Sequence, residues 1–444
     1  MYKVLMISLG CDKNRVDSEE MIALLSQRGY IIINEEEEAD IAVVNTCCFI
    51  GDALMESIDT VLEIAGLKKT GKLKYLVVAG CMSERFKNDV VSELPEVDAF
   101  IGTSAIDHIA DLLDRVTAGE KGILVYEPLT RLPIIEEERL LTETPYMAYL
   151  KIAEGCDKRC TYCAIPYFRG PFRSVPMNLL IKRAAKLAEN GVKELILVAQ
   201  ETTCYGTDLY GKKTLHELIR KLSEIEGIEW IRLMYCYPEE IYDELIDEIA
   251  ENPKVLHYID MPLQHTEDEM LRRMGRRLNR AELISIVEKL RGRVPDIAIR
   301  TTLITGFPGE TAEMHEGLMD TIDNLAFDRL GVFTYSREEG TPAADFPDQV
   351  DEDVKERYRD DIMALQQEIS FDINNAFIGT VLNVIIEGYI PEDDIYVGRS
   401  YRDAPDVDGM VFVSTERNII SGEIVRVRID EAGPYDMKGT EMEG

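Results

Sequence analysis

Cysteine is the residue whose placement in this chain could do the most chemistry. Three of the nine cysteines stand in Cys156-Asp157-Lys158-Arg159-Cys160-Thr161-Tyr162-Cys163, a C-x3-C-x2-C spacing. They follow an apolar strand candidate, Tyr149–Ala153, with Gly155 supplying the tight turn. A loop this short brings three thiols together, and thiolates are the ligands that hold iron–sulfur clusters. Three ligands on a four-iron cube leave one iron open to another molecule. Structural zinc wants four closed ligands, and no fourth Cys or His lies nearby in the sequence. Plain packing of three buried thiols fits a charged loop beside a glycine poorly.

A second set of thiols emerges from the elements that would position them. From Met1 to Arg131, strand candidates Lys3–Leu9, Ile41–Asn45 and Leu73–Ala79 alternate with helical stretches Ser18–Arg28, Asp52–Leu67 and Ser83–Leu94. That rhythm predicts a parallel sheet with crossover helices. Each of the three strands runs into a cysteine: Cys11, Cys47 and Cys81. Ligands of open α/β sheets bind outside the carboxyl ends of the strands, so parallel neighbours would present all three thiols at one edge. Cys48 adjoins Cys47 but is read as a small hydrophobe. Cys204 and Cys236 have no partner spacing and are read as core or loop residues.

Residues 132–144, with Pro133 and the run Glu136–Glu138, read as a linker. Within 145–370 a βα rhythm recurs, with strands at Tyr149–Ala153, Glu194–Ala199, Trp230–Tyr235, Tyr258–Met261, Ile297–Ile304 and Arg329–Tyr335. Such units predict a β/α barrel, partial or complete, with its active site at the carboxyl ends of the strands. The cysteine loop falls on that face. So do Gln200, Glu201, Thr203, Gln264 and the Gly-rich turn Thr305–Glu310, while His265 is expected to pack beside its strand end. A connecting helix at Val354–Phe371 leads to residues 371–444, where four short strands and Pro- and Gly-bearing turns predict a small β-barrel.

A 45% hydrophobic and 30% charged chain of 444 residues has room for two or three domains. No apolar run is long enough to cross a bilayer, and the start has no signal-peptide pattern, so a cytoplasmic setting without membrane contact is expected. There an odd cysteine count argues for metal or redox work over disulfides. The net charge of −34 argues against general nucleic-acid binding, because phosphate contacts need clustered Lys and Arg. Residues 371–444 carry six bases and fifteen acids, 6 − 15 = −9. An acidic barrel would steer a basic protein partner, with Asp393, Asp394, Asp403, Asp406 and Asp408 as the expected contact face.

The cysteine loop resembles the radical S-adenosylmethionine enzymes in its spacing, its preceding Gly155 and the aromatic Tyr162 before Cys163. The resemblance implies that the open iron binds the methionyl amine and carboxylate of the cofactor and that Cys156, Cys160 and Cys163 are catalytic. It further implies cofactor contacts from Tyr162, Gln264, Thr305 and Gly306. As a whole the chain is similar to the methylthiotransferase family, whose members carry three amino-terminal cysteines on a second [4Fe-4S] cluster and a terminal TRAM module. One branch modifies an adenosine of tRNA, the other an aspartate of protein twelve of the small ribosomal subunit. Leu9-Gly10-Cys11-Asp12-Lys13-Asn14 and Val397–Gly409 resemble the ribosomal branch, with Asp12 and Arg15 departing from its usual Pro and Leu. The implied reaction replaces C–H by C–S–CH3 at the aspartate β-carbon. It needs two uses of S-adenosylmethionine, a sulfur donor and an electron donor of flavodoxin or ferredoxin type.

Overall fold

The computed structural model describes residues 1–135, 139–142 and 144–442, without the side chain of Asn88. The Glu136–Glu138 run of the expected linker lies outside the described residues. The first body is a parallel sheet of β1 (Lys3–Ser8), β2 (Ile31–Ile33), β3 (Ile41–Thr46), β4 (Tyr75–Gly80), β5 (Ala99–Ile101) and β6 (Ile123–Val125), ordered β2-β1-β3-β4-β5-β6. Its central strand Ile41-Ala-Val-Val-Asn-Thr46 is buried throughout. A strand covered on both faces by crossover helices needs an unbroken apolar run. Helices α1 (Asp12–Arg28), α2 (Gly51–Thr70) and α3 (Cys81–Glu93) follow β1, β3 and β4, so the thiol-bearing strands are neighbours.

Helix α1 begins six residues before the expected Ser18. Its first turns bury Lys13, Asn14, Asp17, Ser18, Glu19 and Glu20. Hydrophobic periodicity is blind to a helix face that is buried through ion pairs with another domain.

The second body holds β7 (Met147–Lys151), β8 (Ala153–Glu154), β9 (Arg173–Ser174), β10 (Glu194–Val198), β11 (Trp230–Leu233), β12 (Val255–Asp260), β13 (Ala298–Thr305) and β14 (Arg329–Thr334). Six of them form a parallel sheet ordered β7-β10-β11-β12-β13-β14, while β8 and β9 pair separately and antiparallel. The edge strands β7 and β14 do not pair, so the barrel is partial. The amino-terminal body touches the chain at both edges. Asp17 of α1 pairs with Lys151 at the end of β7. Arg85 of α3 donates to Glu338 and to the Glu339 carbonyl beyond β14, both at 2.9 Å.

A helix at Glu352–Asn375 leads out of the barrel and runs through the boundary expected at residue 370. The third body is a closed barrel of β15 (Val381–Ile390), β16 (Ile395–Ser400), β17 (Val411–Ser414), β18 (Ile424–Ala432) and β19 (Met437–Glu441). The fifth strand, β19, is one more than the four that the sequence predicts. In Met-Lys-Gly-Thr-Glu the buried members of the alternation are Met437 and Gly439, and at Gly439 a Cβ would collide with the Arg428 carbonyl.

The turn after β16 closes the amino-terminal end of the partial barrel. Arg329 at the start of β14 pairs with Asp403 at 2.6 Å, and Arg402 pairs with Asp328 at 2.6 Å. Asp408 accepts from Tyr258 at 2.7 Å and pairs with Arg300 at 3.3 Å. Glu194 sits between Arg232 at 2.7 Å and Arg399 at 2.8 Å, all three buried. Met147, Tyr149, Ile196, Trp230 and Tyr258 of the lumen pack in one cluster with Val16 of α1 and with Ile385 and Ala404 of the terminal barrel. This corrects the expected contact face: the Asp403 and Asp408 carboxylates are buried against barrel arginines. Asp393, Asp394 and Asp406 remain exposed.

Candidate iron–sulfur and cofactor site

The C-x3-C-x2-C loop is built from backbone pairings. Gly155 has φ +79°, and a Cβ there would run into the Gly170 and Pro171 carbonyls, so only glycine suits the turn. Gln200, just past β10, accepts from the Gly155 N–H at 2.8 Å and donates to Glu154 at 2.8 Å. Cys156 N–H donates to the Gly170 carbonyl at 3.1 Å, and Thr161 N–H to the Met274 carbonyl at 3.0 Å. Cys156 and Cys160 are buried and Cys163 half-buried. Burial pushes the Cys156 thiol up to about 12 and the Cys163 thiol above its ordinary range. A metal must take them as thiolates, so assembly releases protons. Among the described residues no three Cys, His, Asp or Glu side chains converge as chelators of a single ion. A set of soft sulfur donors with no fourth ligand suits an iron–sulfur corner arrangement better than a closed zinc site.

Around this loop lie the other candidate residues. Tyr162 is pushed well up by burial beside Cys160, and its hydroxyl is buried without a partner. Gln264, half-exposed beyond β12, bridges to β13 through its backbone, donating to Thr302 at 2.8 Å and accepting from Ile304 at 2.8 Å. Thr305 and Gly306 lie at the end of β13 and in the turn after it. Ile299, Leu303 and Thr305 share the face of β13 that packs against helices, and the Thr305 hydroxyl donates to the Lys355 carbonyl at 3.2 Å. The Gly306 N–H is held by Glu310 at 2.5 Å, with Lys355 packed against its α-carbon. The period-two alternation turns Thr302 and Ile304, not Thr305, toward the lumen.

Glu201 is buried; burial raises its carboxyl to about 7 despite a hydrogen bond from Thr203 and the nearby Lys158. Its Oε1 accepts the Thr203 N–H at 2.9 Å, while Oε2 has no partner. An ammonium group would satisfy that oxygen. Arg276 stacks 4.3 Å from the Tyr237 ring centroid and pairs with Glu239 at 2.9 Å, leaving Nε and Nη1 without partners. No motif spacing marks Arg276; it lies on a turn between two helices.

The amino-terminal thiols sit at the carboxyl ends of three adjacent strands. Cys11 caps the start of α1, and Cys81 is the first residue of α3. The Cys47 sulfur lies against the turn at Gly10, where a Cβ would stand 2.8 Å from it. Burial, then the neighbouring Cys11, raises the Cys47 thiol. Cys48 is fully buried in an apolar cluster, and burial pushes its thiol up to about 12. The entry to α1 meets the barrel mouth: Tyr235, beyond β11, donates to Asp12 at 3.1 Å. The Lys13 ammonium stands 3.1 Å over the Tyr235 ring. The residues that follow Cys11 therefore meet the carboxyl face of the partial barrel.

A partial β/α barrel with three loop thiols at its carboxyl face defines a radical S-adenosylmethionine enzyme, and residues 150–322 match the model of the radical SAM superfamily. Residues 3–102 match uncharacterized protein family UPF0004, and residues 378–441 match the TRAM domain. The ribosomal protein uS12 methylthiotransferase RimO of Lachnoclostridium phytofermentans is 54% identical over 438 residues, 99% of both chains. The protein of the same name from Acetivibrio thermocellus is 48% identical over 98% of both chains. The chain belongs to the RimO family of methylthiotransferases. Among solved structures, the radical S-adenosylmethionine methyltransferase TsrM of Kitasatospora setae matches with a TM-score of 0.58 at 13% identity, over 86% of this chain and 80% of that one. That likeness is one of fold. Among the described residues no helix is long and apolar enough to cross a membrane.

Proposed function

We propose that this radical SAM methylthiotransferase places a methylthio group on the β-carbon of an aspartate of ribosomal protein uS12. Cys156, Cys160 and Cys163 hold one [4Fe-4S] cluster and Cys11, Cys47 and Cys81 a second. What supports the chemistry is a three-cysteine loop after the first barrel strand together with three cysteines at the ends of adjacent strands of a domain that meets the barrel mouth through Asp12 and Tyr235. The full-length relatives carry the substrate. An unactivated C–H has no proton that Asp, Glu or His can usefully remove at neutral pH. The bound clusters and S-adenosylmethionine supply the one-electron chemistry that reaches such a carbon.

The chain's own residues bind and orient. Gln200 fixes the turn before Cys156, and Glu201 offers its unpartnered oxygen to the cofactor's ammonium. Tyr162 and Gln264 border the same space, whereas Thr305 and Gly306 support the turn from behind. Asp12, Lys13 and Tyr235 lie where the amino-terminal thiols meet the barrel mouth. The exposed acids of the terminal barrel favour approach of a basic ribosomal protein. A flavodoxin- or ferredoxin-like donor supplies electrons, and an external donor the sulfur. The test is mass spectrometry of uS12 and of tRNA after anaerobic reaction with reconstituted enzyme. A methylthio group on uS12 supports the reading; one on tRNA overturns the choice of substrate.

A further inference from the structure

Arg169 belongs by sequence to the radical domain, six residues after Cys163, yet its guanidinium ends in the amino-terminal domain. Nε and Nη2 donate to the Cys81 sulfur at 3.3 and 3.2 Å. Nη2 also reaches Asn14 Oδ1, while Nη1 meets Asp17 at 2.8 Å and Glu154 at 3.2 Å. The side chain is 2% exposed, so these contacts face no competing water.

The surroundings fix this geometry. Asn14 Nδ2 donates to the Leu9 carbonyl at 2.9 Å and the Thr46 carbonyl at 3.0 Å. That leaves Asn14 Oδ1 turned toward Arg169 and toward the Cys81 sulfur at 3.7 Å. Lys151 pairs with Asp17 and, at 3.0 Å, with Glu154. Two cations thus balance two carboxylates, and loss of Arg169 would leave one uncompensated negative charge buried beside Cys81.

Resting on the reading that Cys11, Cys47 and Cys81 hold a cluster, we infer that Arg169 is a positioning residue that sets the reduction potential of that cluster through its hydrogen bonds to Cys81. Hydrogen bonds to the ligand sulfur and the net local charge are two of the levers that set such potentials. Donors and positive charge favour the more electron-rich reduced state, so Arg169 raises the potential. The radical domain thereby tunes a site built on the other domain's strands, and the tuning depends on the two being docked.

The test is a redox titration followed by electron paramagnetic resonance on the full-length reconstituted protein. A Cys156/Cys160/Cys163→Ala triple variant assigns the amino-terminal signal. Arg169→Met is expected to shift the amino-terminal midpoint to a more negative potential, with Arg169→Lys recovering part of the shift because it keeps charge but fewer donors. Asp17→Asn, which leaves Arg169 in place and removes a compensating charge, is expected to shift it the opposite way. Should Arg169→Met not assemble, the Asp17→Asn shift decides alone. An amino-terminal midpoint unchanged in an iron-replete Arg169→Met protein overturns the inference, as does an unmoved Asp17→Asn midpoint where Arg169→Met yields no cluster. Absence of iron from the triple variant itself instead overturns the underlying reading of Cys11, Cys47 and Cys81.

Discussion

At Glu201 a single carboxyl oxygen separates a structural residue from a binding one. Oε1 is spent on Thr203, and Oε2 is buried and free. Glu201→Gln is expected to weaken S-adenosylmethionine binding about tenfold or more, the worth of a charge-assisted hydrogen bond, without changing iron content; equilibrium dialysis under anaerobic conditions measures it. The pH dependence has a definite sign. Burial raises this carboxyl to about 7, and only the ionised form attracts an ammonium, so affinity should rise as pH climbs through about 7 and then level off. Without cofactor the linkage is reversed. The raised group contributes stability that is full below the unfolded carboxyl range and is lost as pH rises toward about 7. The same scale shows what the sequence could not reveal. The spacing of Cys156, Cys160 and Cys163 announces itself, whereas Arg169 and Arg276 earn their places only through partners distant in the chain.

Between elements, the turn after β16 binds the terminal barrel to the radical domain through buried ion pairs. Burial would raise Glu194, but Arg399 and Arg232 overcome it and bring the carboxyl down to about 2. A carboxyl so depressed contributes stability present above the usual Glu range and lost as pH falls toward about 2. Glu194→Leu leaves the buried Arg232 without its carboxylate and Arg399 with Glu387 alone, and is expected to cost about 3–5 kcal/mol, read from denaturant unfolding. The acids of the terminal module divide accordingly. Charge reversal at Asp403 or Asp408 should unfold it. Reversal at Asp393, Asp394 and Asp406 should change stability by less than about 0.5 kcal/mol and weaken uS12 association, most visibly at low salt. The parallel character of both sheets was legible because apolar runs and helical periods alternate, whereas the short strands β2, β5 and β6, three residues each, were not. The start of α1 was not, because its buried face is ionic, and β19 was not, because Gly439 interrupts its alternation. The face on which Thr305 lies was not legible from its motif; strand parity counted from Ile299 places its side chain on the helix-packed face.

As a whole the molecule brings three bodies to one lumen, with the terminal barrel closing the amino-terminal end and the cysteine-bearing domain spanning both edges at the other. Iron and sulfide analysis should find two four-iron clusters in the intact chain and about half that content after either set of three cysteines is changed to Ala. Composition bounded the class of protein, and the two sets of cysteines located the chemistry; the packing of Val16, Tyr149 and Ala404 into one cluster was invisible, since it joins residues from three domains. The most direct test of the account is paired measurement of deoxyadenosine and of methylthiolated uS12 in the two triple cysteine variants. With Cys156, Cys160 and Cys163 replaced, neither product should form. With Cys11, Cys47 and Cys81 replaced, deoxyadenosine should still form while uS12 stays unmodified. Deoxyadenosine from the first variant, or methylthiolated uS12 from the second, would contradict it.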